Sequence, residues 1–243
     1  VPGDKSISHR ALMIGALADG VSEVQGLSAA ADPNSTLACL QALGLEFTQD
    51  DKSLRITGKS LRGLRQPKTQ LDAGNSGTTM RLLSGILAGQ NFDSELTGDE
   101  SLNQRPMKRI LDPLSRMGAR IETTEKFTAP LKIHGAYPLK PIDYDMPMIS
   151  AQVKSAILFA GLNAQGETTV REKVLTRDHT ERMLGINTVH AHGSFITTVQ
   201  GGMRIAPKQF VVPGDISSAA FLIAAGLIVS DSDIVLQNIG LNP

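Results

Sequence analysis

The sequence predicts an α/β (α+β) fold of three βαβαββ repeats with pseudo-threefold symmetry, and three periodic features predict it. Small glycine- or serine-rich turns lead into apolar helices at Ser6, Ser76, Ala151 and Ile216, at intervals of 70, 75 and 65 residues. A second set of helices begins near Pro33, Pro106 and Arg177 and stops at Gly44, Gly118 and Gly185, glycine being the expected residue after a last helical turn. Two short alternating strands follow each stop: 45–49 with 53–57, 119–124 with 130–134, and 186–190 with 195–199.

Each repeat therefore reads strand, helix, strand, helix, hairpin, over residues 1 to about 210. The first helices, such as Ala11 to Leu17 and Ala156 to Leu162, are apolar nearly all round. That pattern places them at the centre of the domain with the sheets outside. Asp50-Asp51 marks the first hairpin turn and His192-Gly193 the third. The second helix spans 11 residues from Pro33 to Gly44 and 12 from Pro106 to Gly118, but 8 from Arg177 to Gly185. The third repeat thus lacks about one turn of ~3.6 residues. A fourth unit opens at Val211-Val212-Pro213-Gly214-Asp215 and reaches only one helix and one strand by Pro243. The expected organisation is a first domain over 1–212 and the beginning of a truncated second domain over 213–243.

Lys+Arg and Asp+Glu both total 24, so net charge gives no case for nucleic acid as partner. With no Trp, two Tyr and seven Phe, stacking on bases is disfavoured as well. Cys39 is the single cysteine, which rules out an internal disulfide and points to a reducing, cytoplasmic location. Its apolar helix makes it a core residue. No run approaches the ~18 apolar residues of a membrane span, so no membrane partner is expected. His190 and His192 share a strand face but lack a third ligand; neither a metal nor a cofactor is expected.

The informative charges are local. The turns Gly3 to Arg10, Gly74 to Arg81 and Ser150 to Lys154 carry Lys5, Arg10, Arg81 and Lys154 at helix starts. A helix N-terminus already presents unpaired N–H groups and about half a positive charge, so a cation there is unfavourable by itself. It becomes favourable when an anion sits among the N–H groups. The turns are built for phosphate or carboxylate. Lys154, one turn further on, reads as structural, and Asp178-His179 as a cap for the shortened helix.

Five segments occur in order: Pro2-Gly3-Asp4-Lys5-Ser6-Ile7-Ser8-His9-Arg10-Ala11, Asp72-Ala73-Gly74-Asn75-Ser76-Gly77-Thr78-Thr79-Met80-Arg81, Asn103-Gln104-Arg105-Pro106-Met107, Ser150-Ala151-Gln152-Val153-Lys154-Ser155-Ala156 and Thr176-Arg177-Asp178-His179-Thr180-Glu181. Together they closely resemble the signatures of the 5-enolpyruvylshikimate-3-phosphate (EPSP) synthase family, over its first domain and the start of its second. The resemblance implies an inside-out α/β barrel. It also implies transfer of enolpyruvyl from phosphoenolpyruvate to the 5-hydroxyl of shikimate 3-phosphate, with release of phosphate through a tetrahedral intermediate.

By the same resemblance, Lys5 reaches both substrates and, with Gln152, serves the reacting centre. Ser6, Arg10 and Arg177 hold the shikimate moiety, and Ser150, the Ala151 N–H and Gln152 hold its 3-phosphate. Arg105 and the Gly77 N–H contact phosphoenolpyruvate, with Asn75 and Arg81 as supports. Without a methyl at Gly77 the pocket is expected to admit glyphosate, the family's inhibitor; Leu82 stands where some sensitive members have Pro. In the family the proton-transferring carboxylates and further cations come from the second domain, whose closure excludes water. This chain alone is therefore expected to bind shikimate 3-phosphate without turnover, for want of that missing second domain.

The sister family, UDP-N-acetylglucosamine enolpyruvyl transferase, usually has Lys-Asn where this chain has Lys5-Ser6, and a catalytic Cys on a first-domain loop where this chain has none. A P-loop enzyme would need Gly-x-x-x-x-Gly-Lys-Ser/Thr, which is absent. The alternative of a different class is a non-catalytic domain that captures shikimate 3-phosphate.

Overall fold

The computed structural model describes residues 1–50 and 52–242. Asp51 of the expected Asp50-Asp51 turn, and Pro243, lie outside the described residues. The first repeat comprises α1 (Lys5–Leu17), β1 (Val21–Gln25), α2 (Ala31–Ala42), β2 (Glu46–Gln49) and β3 (Ser53–Thr57). The second comprises β4 (Leu71–Asp72), α3 (Gly77–Ala88), β5 (Ser94–Thr97), α4 (Glu100–Asn103), α5 (Lys108–Arg116), β6 (Arg120–Glu122) and β7 (Leu131–His134). The third comprises β8 (Asp143–Asp145), α6 (Ala151–Gly161), β9 (Glu167–Glu172), α7 (His179–Leu184), β10 (Thr188–Ala191) and β11 (Ser194–Gln200). β12 (Gln209–Val211) and α8 (Ile216–Ile228) follow.

Three four-stranded sheets share one topology: β12-β1-β3-β2, β4-β5-β7-β6 and β8-β9-β11-β10. In each, the first pair is parallel and the other two are antiparallel. The expected unit is corrected in one respect. The first repeat does not open with its own strand; β12, from beyond the third repeat, takes the place that β4 and β8 hold in theirs. Residues 209–211 thereby close the ring of repeats onto the first.

The central helices are buried as their all-round apolarity requires: α1 from Ser8 to Leu17, α3 from Thr79 to Ala88 and α6 from Val153 to Gly161. Each fully buried Leu, Ile or Met there contributes roughly 1.5–3 kcal/mol. A methyl on Gly85 would lie 2.1 Å from Ala156 O, so α3 and α6 approach closely only because glycine stands there. The second helices end as predicted. Gly44, Gly118 and Gly185 have φ of +88°, +92° and +77°, the left-handed C′ geometry that releases the chain into the hairpins. α7 has 6 residues against 12 in α2 and 9 in α5, so the shortening in the third repeat is real. In the second repeat, Asp99 caps a separate short helix, α4, ahead of Pro106.

A buried hydrogen-bond chain ties the first two repeats together. His9 Nδ1 lies 2.6 Å from Thr36 Oγ1, which lies 2.7 Å from Thr79 Oγ1, which donates at 2.8 Å to Ser76 Oγ, the cap of α3. Burial, reinforced by the Arg10 cation, holds the His9 imidazole down at about 3. The unfolded imidazole protonates near 6.5, so between those values the unfolded chain binds more protons and stability falls as pH drops. Urea unfolding at pH 7 and pH 5 should show the parent losing about 2 kcal/mol more than His9→Gln over that interval. Equal losses would contradict a neutral, desolvated His9.

Candidate active site

The N-termini of α1, α3 and α6 are capped by Asp4, Ser76 and Ser150, which accept from the N–H groups of Ile7, Thr79 and Val153 at 2.8, 3.1 and 3.3 Å. One cap satisfies only part of a helix end. The three ends meet at a cavity of about 220 Å³, walled by Lys5, Ser6 and Arg10 of α1, Thr78 of α3, Ala151 and Gln152 of α6, and Arg177 with His179 at the start of α7. No carboxylate lines it. Six residues singled out in the sequence, from positions 5 to 177, are thus brought to one place.

Lys5 is half-exposed, and its Nζ pairs with Asp32 in the first turn of α2 at 2.9 Å. The exposed Arg177 donates to Ser6 Oγ at 3.4 Å. Arg10 forms the floor. Its guanidinium is 3% exposed and donates to Thr180 Oγ1, Ser6 O and Ser155 Oγ at 2.7, 2.9 and 2.8 Å. Burial lowers it to about 10, still fully cationic near neutrality. The Oγ of Ser150 is engaged as the α6 cap rather than lining the cavity.

Beside this cavity lies a second cationic group. Arg105 donates to Asn75 O at 3.4 Å and to Asn75 Oδ1 at 2.5 Å, while Asn75 Nδ2 donates to Asp99 Oδ2 at 2.7 Å. Asn75 therefore orients Arg105. Arg81 is 5% exposed, and its Nη1 donates to Gln152 Oε1 at 2.9 Å and to Gly77 O at 3.4 Å. Its support comes from an amide and a carbonyl, not from a carboxylate. Burial, then the charges of Arg109 and Arg105, lower it to about 10. A methyl on Gly77 would sit 2.5 Å from Arg81 Nη1 and 3.5 Å from Arg105 Nη1, so this glycine lies directly beneath both guanidiniums. Gln152 joins the two groups, since its Nε2 donates to Thr78 Oγ1 at 3.0 Å.

Several expectations change. Asp178 occupies the N-cap position of α7 but caps no N–H; its carboxylate accepts from Arg182 Nε at 2.7 Å and Asn242 Nδ2 at 3.1 Å. His192 lies in the hairpin turn with φ +51°, not on the face of β10 with His190, whose ring packs on Phe195. Cys39 is buried, and burial pushes its thiol up to about 12. Asp32, Thr78 and Arg109 were not marked by the sequence. An acid in a first helical turn is ordinary dipole complementation, so nothing signalled that Asp32 pairs with a lysine 27 residues away.

A larger cavity of about 750 Å³ shares Lys5, Ser6, Arg177 and His179 and is walled opposite by Asp215 to Ser218 at the start of α8. The fourth helix-opening turn is therefore laid against the first: Asp4 N donates to Pro213 O at 2.7 Å and Asp215 N to Pro2 O at 2.9 Å. The smaller cavity holds six of the predicted residues, and the larger adjoins it through the four residues they share.

A family model described as EPSP synthase (3-phosphoshikimate 1-carboxyvinyltransferase) matches residues 1–243. The 3-phosphoshikimate 1-carboxyvinyltransferase of Methylococcus capsulatus is 53% identical across the whole chain, which covers 56% of that relative. That of Halorhodospira halophila is 51% identical, with 55% of the relative covered. The solved EPSP synthase of Acinetobacter baumannii superposes with a TM-score of 0.91 at 48% identity, covering all of this chain and 55% of that one. The chain spans about half the length of the curated relatives it matches. Fold, motif order and whole-chain similarity agree: the chain belongs to the EPSP synthase family.

Proposed function

We propose that this chain is the shikimate-3-phosphate-binding part of a 3-phosphoshikimate 1-carboxyvinyltransferase. The observation that carries the reading is the carboxylate-free cavity where three helix N-termini meet Lys5, Arg10 and Arg177. Such a cavity suits a polyanion. In this reading the Ala151 N–H and Gln152 take the 3-phosphate, Ser150 turning its hydroxyl proton to it from the cap position, and Ser6, Arg10 and Arg177 take the shikimate carboxylate and hydroxyls. Lys5 moves between Asp32 and the substrates as a compact point charge. Arg105, held by Asn75, clamps phosphoenolpyruvate through its planar fork above the Gly77 N–H, with Arg81 beneath. Gln152, already bonded to Arg81 and Thr78, sits between the two ligands beside the forming bond. The chemistry needs neither a metal nor a cofactor, and the single buried thiol suits the cytoplasm. No described helix is long and apolar enough to cross a membrane.

We further propose that residues 1–212 form the first domain and that α8 opens a second one. Along α8 only Ala219 is buried, while Phe221, Leu227 and Ile228 are 81%, 83% and 82% exposed. An apolar helix this bare requires further chain to cover it, and the relatives are longer than the stretch matched here. Turnover then requires closure of that second domain over the cavity; the 243 residues alone bind without turning over.

Complementation with a second-domain fragment from a relative should restore phosphate release from the two substrates. Activity of the 243-residue chain alone would contradict the division of labour. In the complemented enzyme, Arg105→Ala should weaken phosphoenolpyruvate by about tenfold or more, the cost of a lost charged hydrogen bond, and leave shikimate 3-phosphate nearly unchanged; equal losses would refute the assignment. Gly77→Ala displaces Arg81 Nη1 and should destabilise the fold by about 1–2 kcal/mol, the worth of the Arg81–Gln152 hydrogen bond. Gln152→Ala should then add little in that background. Full additivity in urea unfolding would show that the methyl does not act through Arg81.

A further inference from the structure

The third repeat holds a cluster of buried charges that the substrate-facing residues do not account for. Lys154 is 0% exposed, Glu181 2% and Glu172 3%. Lys154 Nζ donates to Glu172 Oε2 at 2.7 Å and lies 2.6 Å from Glu181 Oε1, outside hydrogen-bond geometry. The Glu181 carboxylate has that same ammonium as its charge partner, and burial drives its pKa up against the pull of Lys154. Two carboxylates therefore depend on one ammonium. Such clusters are poor stabilisers, because apolar side chains of similar volume do as well or better. Stability alone does not explain why a lysine stands here.

The repeat symmetry isolates the anomaly. Counted from the N-caps Asp4, Ser76 and Ser150, the residues at the equivalent fourth position are Ser8, Met80 and Lys154. In the first two repeats that position is uncharged: Ser8 Oγ donates to Asp4 O at 2.7 Å and Met80 lies in the core. Only the third carries a charge there, and only the third has the second helix cut to 6 residues. Between Glu172 and His179 the chain runs without helix or strand.

The cluster grips that segment. Lys154 Nζ also donates to Thr176 O at 3.5 Å, and Thr176 Oγ1 donates to Glu172 Oε1 at 2.5 Å. The next residue is Arg177, exposed at the cavity wall, whose side chain makes one hydrogen bond among the described residues, to Ser6 Oγ at 3.4 Å. On the far side, Glu181 is the residue after Thr180, which Arg10 and Ser155 hold at 2.7 Å each. We propose that Lys154 is a positioning residue which, through Glu172, Glu181 and Thr176, fixes the backbone at 176–177 so that Arg177 faces the anion cavity. Lys154 never touches the ligand; it replaces the missing helical turn with a charged post. This inference rests on reading the cavity as the shikimate 3-phosphate site.

Thr176→Val tests it without burying a new charge. Calorimetric titration of the 243-residue chain with shikimate 3-phosphate should show affinity reduced about three- to tenfold, the worth of one hydrogen bond. In an Arg177→Ala background the same substitution should cost nothing further. Lys154→Met should lower affinity more and share that non-additivity. Equal losses with and without Arg177, or no loss at all, would overturn the proposal. A ligand-independent readout separates this from failure of the site reading: 15N relaxation of the Arg177 Nε–H, taken well below the melting temperature of both proteins, should show greater mobility in Thr176→Val. Should the parent chain not bind shikimate 3-phosphate, the site reading falls, and unchanged Arg177 mobility would then overturn the positioning role as well.

Discussion

Three helix N-termini pointing at one spot is the constraint on which this structure depends. Each end carries about half a positive charge and several unpaired N–H groups, and pseudo-threefold packing of α1, α3 and α6 leaves no way to separate them. Lys5, Arg10 and Arg177 add to the same sign rather than offsetting it. The ends are nonetheless held together because the helices behind them are buried and closely packed, down to the Gly85–Ala156 contact. Apolar burial thus holds three positive helix ends together, with Asp4 capping one of them and Asp32 pairing with Lys5.

Beneath that rim the three repeats solve one problem in two ways. Buried polar groups in the first turns of each central helix must be satisfied. In the first two repeats His9, Thr36 and Thr79 share neutral hydrogen bonds, and His9 stays uncharged because its surroundings are dry and next to Arg10. In the third, Lys154 meets two glutamates. Arg10 links the two layers, reaching from α1 to Ser155 and Thr180. The cavity floor therefore draws its polar groups from the first and third repeats, Arg10 tying one to the other.

Much of this was legible in the sequence because it is periodic. Apolar helices, C′ glycines and alternating hairpin strands recur near 70 residues, and each has a local physical signature, such as the +88°, +92° and +77° φ angles at Gly44, Gly118 and Gly185. The meeting of Lys5, Ser6, Arg10, Ala151, Gln152 and Arg177 at one place was implied by the family resemblance of the segments that carry them, not by the periodicity. What stayed hidden is what only tertiary contact decides. That β12 supplies the first sheet's opening strand follows from ring closure, which no local pattern encodes. The pairing of Lys5 with Asp32 and the approach of Arg109 to Arg81 cross between elements, and each residue alone looks like an ordinary helix charge. Asp178 looked like a cap because its residue type favours caps, but Arg182 and Asn242 claim its carboxylate instead.

The central claim is that the meeting point of the three helices recognises a phosphorylated substrate. Calorimetric titration of the 243-residue chain with shikimate 3-phosphate and, separately, with shikimate tests it most directly. The account predicts one-to-one binding of the phosphorylated ligand, with shikimate at least about a hundredfold weaker for want of two charge-assisted phosphate contacts. Equal affinity for the two ligands, or no binding of shikimate 3-phosphate, would contradict it.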